Sequence, residues 1–191
     1  MTQTRGGSDR FLIALGSNIA HPRHGTPSRV LSAAFAALRA DGHRVLATSP
    51  VIATVPLGPS RRMYANAAAL IESALAPLEL LDRLQAIEAS FGRTRRSQRW
   101  SARTLDLDIV LWSRGVWRDR RLVIPHREYR KRAFVLIPAA AIAPDWRDPE
   151  TALRVKHLLA RLTRRPAPPK ARAPQGAGPI AQSVEQLTFN Q

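Results

Sequence analysis

The chain has no cysteine among its 191 residues. That excludes a disulfide framework, a cysteine-based zinc site and a thiol nucleophile, so the fold rests on packing and hydrogen bonds. Lysine is nearly missing too: of 30 basic residues only Lys131, Lys156 and Lys170 are lysine, and the rest are arginine. No apolar run approaches the roughly 20 residues that a membrane helix needs, and MTQTRGGSDR lacks the apolar centre of a signal peptide. The expectation is a soluble, cytoplasmic protein with no membrane partner. Neither G-x-x-x-x-G-K-[ST] nor G-x-G-x-x-G occurs, so a P-loop ATPase and a Rossmann cofactor domain are both unsupported. Any nucleotide must be held by side chains.

Acidic residues number only 14, which leaves a net charge of +16. Arginine presents a planar fork of donors that fits phosphate or carboxylate, so a polyanionic ligand is one reading of this balance. Codon bias toward alanine and arginine, with the excess charge on a solvated surface, is the other. Distribution separates them, because residues 93–132 alone carry +9 of the +16. A bias would spread the charge, and this stretch is where an anionic ligand is expected.

Phe11-Leu12-Ile13-Ala14-Leu15, stopped by Gly16-Ser17-Asn18, reads as a buried strand ending in a turn. Thr26-Pro27 supplies an N-cap and a first-turn proline, and Val30, Leu31, Ala34, Phe35 and Leu38 recur at helical spacing, which predicts a helix over 27–40. Val45 to Ala53 is β-branched but interrupted by Pro50, a mark of an edge or a bulge. Tyr64 to Glu72 suits a central strand. Pro77 opens a second helix with the stripe Leu80, Leu81, Leu84, Ile87 and Phe91, and Gly92 closes it. Leu105 to Leu111 alternates with period two before becoming wholly apolar. The order β-α-β-β-α-β predicts an α+β, ferredoxin-like antiparallel sheet with both helices on one face. A further strand at 121–124 and a helix near 151–163 are additions to it. Residues 1–9 are expected to be a flexible N-terminus, 10–165 the folded domain, and 166–191, rich in Pro, Gly, Ala and Gln, a disordered tail without catalysis.

Asp106 and Asp108 stand two apart on a strand, so both carboxylates share one face while Leu105, Leu107 and Ile109 enter the core. Such a pair suits Mg²⁺, which binds one or two carboxylates and takes its other ligands from water and substrate phosphates. An exposed polar face on a half-buried strand is the alternative. Aspartate is depleted in strands, and this pair neighbours Arg93, Arg95, Arg96, Arg99 and Arg103, an arrangement fit to clamp a polyphosphate. The histidines show no metal-ligand spacing: His21, His24, His43 and His157 read as solvated, whereas His126 precedes the basic run Arg127, Arg130, Lys131 and Arg132 and is a candidate ligand contact.

Phe91-Gly92-Arg93, Arg99-Trp100-Ser101-Ala102-Arg103-Thr104-Leu105-Asp106-Leu107-Asp108-Ile109, Leu15-Gly16-Ser17-Asn18, Thr54-x-Pro56-Leu57-Gly58, Tyr64-x-Asn66 and Pro125-His126 together resemble the 6-hydroxymethyl-7,8-dihydropterin pyrophosphokinases of folate biosynthesis. The likeness spans about residues 10–146. It implies transfer of the terminal pyrophosphoryl unit of ATP to the hydroxymethyl oxygen of 6-hydroxymethyl-7,8-dihydropterin, releasing AMP, with two Mg²⁺ ions. By the resemblance Arg93, Arg103, Asp106 and Asp108 form the catalytic set, and Asp106 and Asp108 ligate the metal. Gln85, Glu88, Trp100, Arg121, His126 and Arg132 would line the nucleotide. Tyr64 and Phe134 would stack on the pterin, Asn66 would read its edge, and Thr54, Val55 and Leu57 would contribute loop groups. The sequence departs from the family at Ile52, usually tyrosine, at Val123, often a hydroxyl residue, at Arg96, frequently lysine, and at Arg127, where an aromatic can follow the histidine.

The same element order occurs in RNA-recognition domains, so a basic, noncatalytic RNA-binding module is the rival reading. Its sheet aromatics are missing, and Asp106 and Asp108 would repel phosphate without metal. A monomer acting on small molecules, with no nucleic-acid partner, is expected.

Overall fold

The computed structural model describes residues 7–55, 62–92 and 104–164. The elements run β1 (Asp9–Ser17), α1 (Pro27–Ala40), β2 (Arg44–Thr48), β3 (Ile52–Thr54), β4 (Tyr64–Ser73), α2 (Pro77–Ser90), β5 (Asp106–Trp112), β6 (Trp117–Arg118), β7 (Val123–Ile124), α3 (Ala133–Ile142) and α4 (Val155–Thr163), with a 3-10 turn at Tyr129–Lys131 before α3. The main sheet is antiparallel in the order β2-β4-β1-β5, and β3 also pairs with β4.

Strand β1 is central, so its apolar run is covered on both faces. Phe11, Ile13 and Leu15 point into a first core with Val30, Leu31 and Leu38 of α1, Leu80, Leu84 and Ile87 of α2, and Leu107 and Ile109 of β5. Leu12 and Ala14 point the other way, into a second core with Ala68, Val110, Tyr129, Val135, Leu136, Val155 and Leu158. Helices α1 and α2 thus cover one face, as the element order predicts, and α3 and α4 cover the opposite one.

Three features of the outer layer correct the sequence reading. Helix α3 was not expected, since AFVLIPAAAI offers no polar face for periodicity to register and carries Pro138 in its interior. The strand expected at 121–124 is the two-residue β7, paired with β6 and not with the main sheet. The helix expected near 151–163 begins at Val155, because 148–153 is a turn in which Asp148 N donates to Leu153 O at 2.9 Å and Ala152 N donates to Asp148 O at 2.8 Å. At the N-terminus β1 begins at Asp9, whose carboxylate accepts from Trp112 Nε1 at 3.2 Å and Arg114 Nε at 2.7 Å. The tail 166–191 lies outside the described residues.

Pro50 splits the second strand as its missing N–H requires. Thr48 pairs with Ala69 and Ile52 with Asn66, so one extra residue is accommodated between them. Ser49 bridges the gap: its N–H donates to Ala68 O and its hydroxyl accepts from Ala68 N, both at 2.9 Å. A second bulge, between Leu12/Ile13 and their partners Leu111/Ile109, explains why β5 turns wholly apolar at Ile109-Val110-Leu111. Both helices start at proline, and Glu79 accepts from the Ala76 N–H at 2.9 Å before α2. Gly92 follows α2 at φ +83°, the left-handed conformation that closes it.

His43 corrects the expectation of a solvated ring. It is buried between α1 and β2 with Nε2 3.2 Å from Asp41 Oδ2, and burial lowers its pKa despite the opposing pull of Asp41. His24 stacks between His21 and Phe91, and His21 is tilted against Phe91, so both are only partly solvated, while His157 is exposed. Among the described residues no helix is long and apolar enough to cross a membrane.

Asp148 is fully buried between the second core and the surface. Burial alone would raise its pKa, but hydrogen bonds from Arg130, the Tyr129 hydroxyl and the backbone N–H groups of Glu150 and Thr151 outweigh it and hold the carboxyl at about 2. The folded-state value lies below the unfolded one, so this stabilisation is complete above the unfolded pKa of 3.8 and is lost as pH falls through about 2. Asp148→Asn should therefore lower unfolding free energy at pH 7 by about 2 kcal/mol. Denaturant titrations at pH 7, 4 and 2 check this: the gap between wild type and variant should close toward pH 2.

Candidate active site

Pairing register brings the polar residues of four strands to one end of the sheet. Asp106 lies opposite Gly16 and Asp108 opposite Ala14, while Asn66 lies opposite Gly16 from the other side. Ile52 and Thr54 of β3 face Asn66 and Tyr64 of β4. Directly paired residues of antiparallel strands share a face, so Asp106, Asp108, Asn66, Tyr64, Thr54 and Ile52 surround Gly16 on the face that carries Leu12, Ala14 and the second core. Deeper along this face α3 and α4 cover it; at Gly16 the apolar packing gives way to carboxylates and an amide.

The alternation expected for β5 is present. Leu105, Leu107 and Ile109 are buried and Asp106 and Asp108 are half-buried. From the other layer Glu88 of α2 supports this geometry: its carboxylate, itself buried, accepts the Leu107 N–H at 2.7 Å. That bond satisfies a donor of the strand between the two aspartates, which fixes where their Cβ atoms emerge.

Gly16 was read as the start of a turn, but it lies inside β1. A Cβ built there would meet Asn66 Oδ1 at 3.6 Å and Asp106 Cβ at 4.0 Å, so an alanine is sterically admissible and glycine keeps the floor between them open. A glycine inside a strand pattern is the signal that marks such a close approach. Asn66 is buried, and its Nδ2 donates to Thr54 Oγ1 at 2.7 Å. One amide hydrogen is thereby committed and the side-chain plane is set, with Oδ1 toward Gly16.

The chain after β7 carries three more of the expected site residues. His126 is tied to β5 through its N–H, which donates to Val110 O at 3.0 Å, and its Nδ1 accepts from Glu128 N at 3.2 Å. Arg132 is the N-cap residue of α3, and its guanidinium lies 5.8 Å from the centre of the Phe134 ring in the first turn. Phe134 is half-buried against the second core. Gln85 is exposed on α2, and Arg121 is held in an ion pair with Asp82 of the same helix. Val55 is 74% exposed. Arg93, Trp100, Arg103 and Leu57 lie outside the described residues.

The donor set bears on which metal this end of the sheet fits. No group of three or more His, Cys, Asp or Glu that could hold a metal ion is present among the described residues. Two half-buried carboxylates on one face of a strand do not make a cage for zinc or calcium, but they fit Mg²⁺, which completes its octahedron with water and phosphate oxygens.

A family-level sequence comparison matches residues 12–144 to 7,8-dihydro-6-hydroxymethylpterin-pyrophosphokinase (HPPK). The 2-amino-4-hydroxy-6-hydroxymethyldihydropteridine pyrophosphokinase of Pseudomonas aeruginosa is 44% identical over 142 residues, covering 74% of this chain and 85% of the relative. That of Haemophilus influenzae is 44% identical over 135 residues, covering 70% and 81%. Among solved structures, wild-type Plasmodium falciparum HPPK-DHPS aligns with a TM-score of 0.63 at 10% identity over 83% of this chain and 45% of that one, a likeness of fold alone. With this sheet end and these relatives, the chain belongs to the 7,8-dihydro-6-hydroxymethylpterin-pyrophosphokinase family, enzymes that transfer pyrophosphate from ATP to hydroxymethyldihydropterin in folate biosynthesis.

Proposed function

We propose that Asp106 and Asp108 hold two Mg²⁺ ions against the phosphates of ATP while the terminal diphosphate passes to 6-hydroxymethyl-7,8-dihydropterin. The hydroxymethyl oxygen attacks the β-phosphorus, the bond from that phosphorus to the oxygen bridging the α-phosphate breaks, AMP leaves, and the hydroxyl proton passes to solvent. When bound, the metal neutralises charge on the phosphate oxygens and lowers the barrier to an approaching oxygen. The observation that carries this reading is the shared face of Asp106 and Asp108 beside the glycine floor at Gly16. The same strand order supports a ferredoxin-like topology for the first two layers.

The chain's own residues divide into two halves around that floor. On one side Asn66, oriented by Thr54, offers an amide to the edge of a flat, amide-bearing bicycle, and Tyr64 and Phe134 offer aromatic faces for it. Val55 and Leu57 are assigned to the pterin as well. On the other side His126 and Arg132 offer donors to phosphate, and Arg93 and Arg103 are proposed to clamp the transferred group from the basic segment 93–103. Glu88 acts on this half by fixing β5, while Gln85, Trp100 and Arg121 are assigned to the nucleoside. The proposed working form is a monomer in the cytoplasm, where ATP is supplied.

AMP release from ATP, followed with and without the reduced pterin and Mg²⁺, tests the reaction. Release only when all three are present is expected, and steeply salt-dependent RNA binding without AMP formation would favour the RNA-binding alternative.

Asp106→Ala and Asp108→Ala should each reduce kcat by about a thousandfold, roughly 4 kcal/mol of lost transition-state stabilisation. Unfolding free energy should change by less than about 1 kcal/mol, because the core face of β5 is untouched. Steady-state kinetics beside a denaturant titration reads both, and either variant turning over at near-normal rate contradicts the metal assignment.

Gly16→Val should leave the fold intact while filling the space between Asn66 and Asp106. Calorimetry is expected to show pterin affinity reduced at least about tenfold, a change of 1.4 kcal/mol. Unchanged affinity would mean that the floor at Gly16 does not border the pterin.

A further inference from the structure

The strip of chain from His126 to Phe134 carries three of the assigned ligand-binding side chains, yet the only regular structure between His126 and α3 is the 3-10 turn Tyr129–Lys131. Its ends are coupled directly to two of those residues: Tyr129 N donates to His126 O at 3.2 Å, and Arg132 N donates to Tyr129 O at 3.1 Å. Whatever fixes Tyr129 therefore fixes both. The Tyr129 ring is fully buried, and its hydroxyl donates to Asp148 Oδ2 at 2.5 Å. Arg130, the next residue, forks onto the same carboxylate, with Nη2 to Asp148 Oδ1 at 2.9 Å and Nε to Oδ2, and its guanidinium lies 5.1 Å from the Tyr129 ring centre. Asp148 is also the hub of its own loop, accepting from Glu150 N at 2.8 Å and Thr151 N at 3.1 Å. Glu150 returns to Arg130 at 2.7 Å and to Arg118 of β6 at 2.8 Å.

We propose that Asp148, through Tyr129 and Arg130, is the positioning residue of the nucleotide half of the site. It belongs to neither the metal-binding nor the substrate-binding set and acts by holding the backbone that presents His126 and Arg132. Two properties suit it to that task. A buried carboxylate saturated with hydrogen bonds on both oxygens has one arrangement, so it sets the location of the 3-10 turn and does not merely cover it. The connection is also short, one hydrogen bond from Tyr129 to the residue on each side, so a displacement at Asp148 is passed on undiluted. The role rests on the assignment of His126 and Arg132 to ATP made above.

Two variants test it in the full-length chain. Asp148→Asn keeps the shape and removes the charge, and Tyr129→Phe removes only the hydroxyl while leaving the buried ring. Both are measured, at a temperature where circular dichroism shows them folded, by steady-state AMP release and by calorimetric titration with a non-hydrolysable ATP analogue and Mg²⁺. The expected result is a rise in KM for ATP and in analogue Kd of at least about fivefold for Tyr129→Phe and more for Asp148→Asn. In Tyr129→Phe kcat should stay within about twofold, since the metal ligands on β5 are not moved. Should Asp148→Asn not fold, Tyr129→Phe carries the test alone. Lowered melting temperature with wild-type KM and Kd in the folded variants would overturn the proposal and leave the network a purely structural one. Wild-type protein that releases no AMP with pterin and ATP would instead overturn the functional reading on which it stands.

Discussion

The pleat of β5 is the constraint on which the site depends. A strand sends successive side chains to opposite faces, and in this strand that rule divides leucine and isoleucine from aspartate without exception until the bulge at Val110. The apolar set is locked into the first core by α1 and α2, so the register cannot slip by one residue without burying both carboxylates. Glu88 adds a second lock by taking the Leu107 N–H. The acidic pair is thus held in register by hydrophobic packing on the far side of the sheet.

The remaining parts follow from how this end of the sheet is finished. Strands β1 and β4 continue past the cover given by α3 and α4, and Gly16 leaves a floor on which Asn66 and Asp106 look toward each other. The Thr54 hydroxyl settles the orientation of the Asn66 amide, which a lone asparagine in water would not keep. Opposite, the chain after β7 is hooked to Val110 by His126 and to Asp148 by Tyr129 and Arg130. The proposed site therefore lies between the sheet end and a short irregular strip, each held by buried polar contacts specific to it. A rigid surface for charged ligands beside a separately anchored strip is a workable arrangement for aligning two substrates in one transfer.

The distribution of charge has a structural counterpart. Several of the arginines in the basic stretch are already engaged in ion pairs: Arg114 with Asp9, Arg118 with Glu150, Arg121 with Asp82, and Arg130 with Asp148 and Glu150. Part of the excess thus serves to tie β6, β7 and the 3-10 turn to their neighbours. Exposed pairs of this kind contribute little each, about 1 kcal/mol or less. Arg130 differs because its partner Asp148 has no contact with water, and the hydrogen bonds it receives offset the burial of its charge.

Local pattern alone settled a large share of this molecule. Helix α1 spans 27–40 as its proline start and apolar stripe require, Pro50 breaks the second strand, and Asp106 and Asp108 share a face because a period of two leaves no other outcome. These features are decided by backbone sterics and side-chain spacing, which act over a few residues. Helix α3 was illegible because a uniformly apolar segment with an internal proline has no period to read; only burial against the second face of the sheet makes it a helix. His43, read as solvated, is buried because α1 and β2 close over it. Likewise nothing within a few residues of Gly16, Glu88 or Asp148 shows that one would floor a site, one brace a strand and one anchor a turn. Their partners, Asn66, Leu107 and Tyr129, lie 19 or more residues away, and such pairings exist only once the layers have packed.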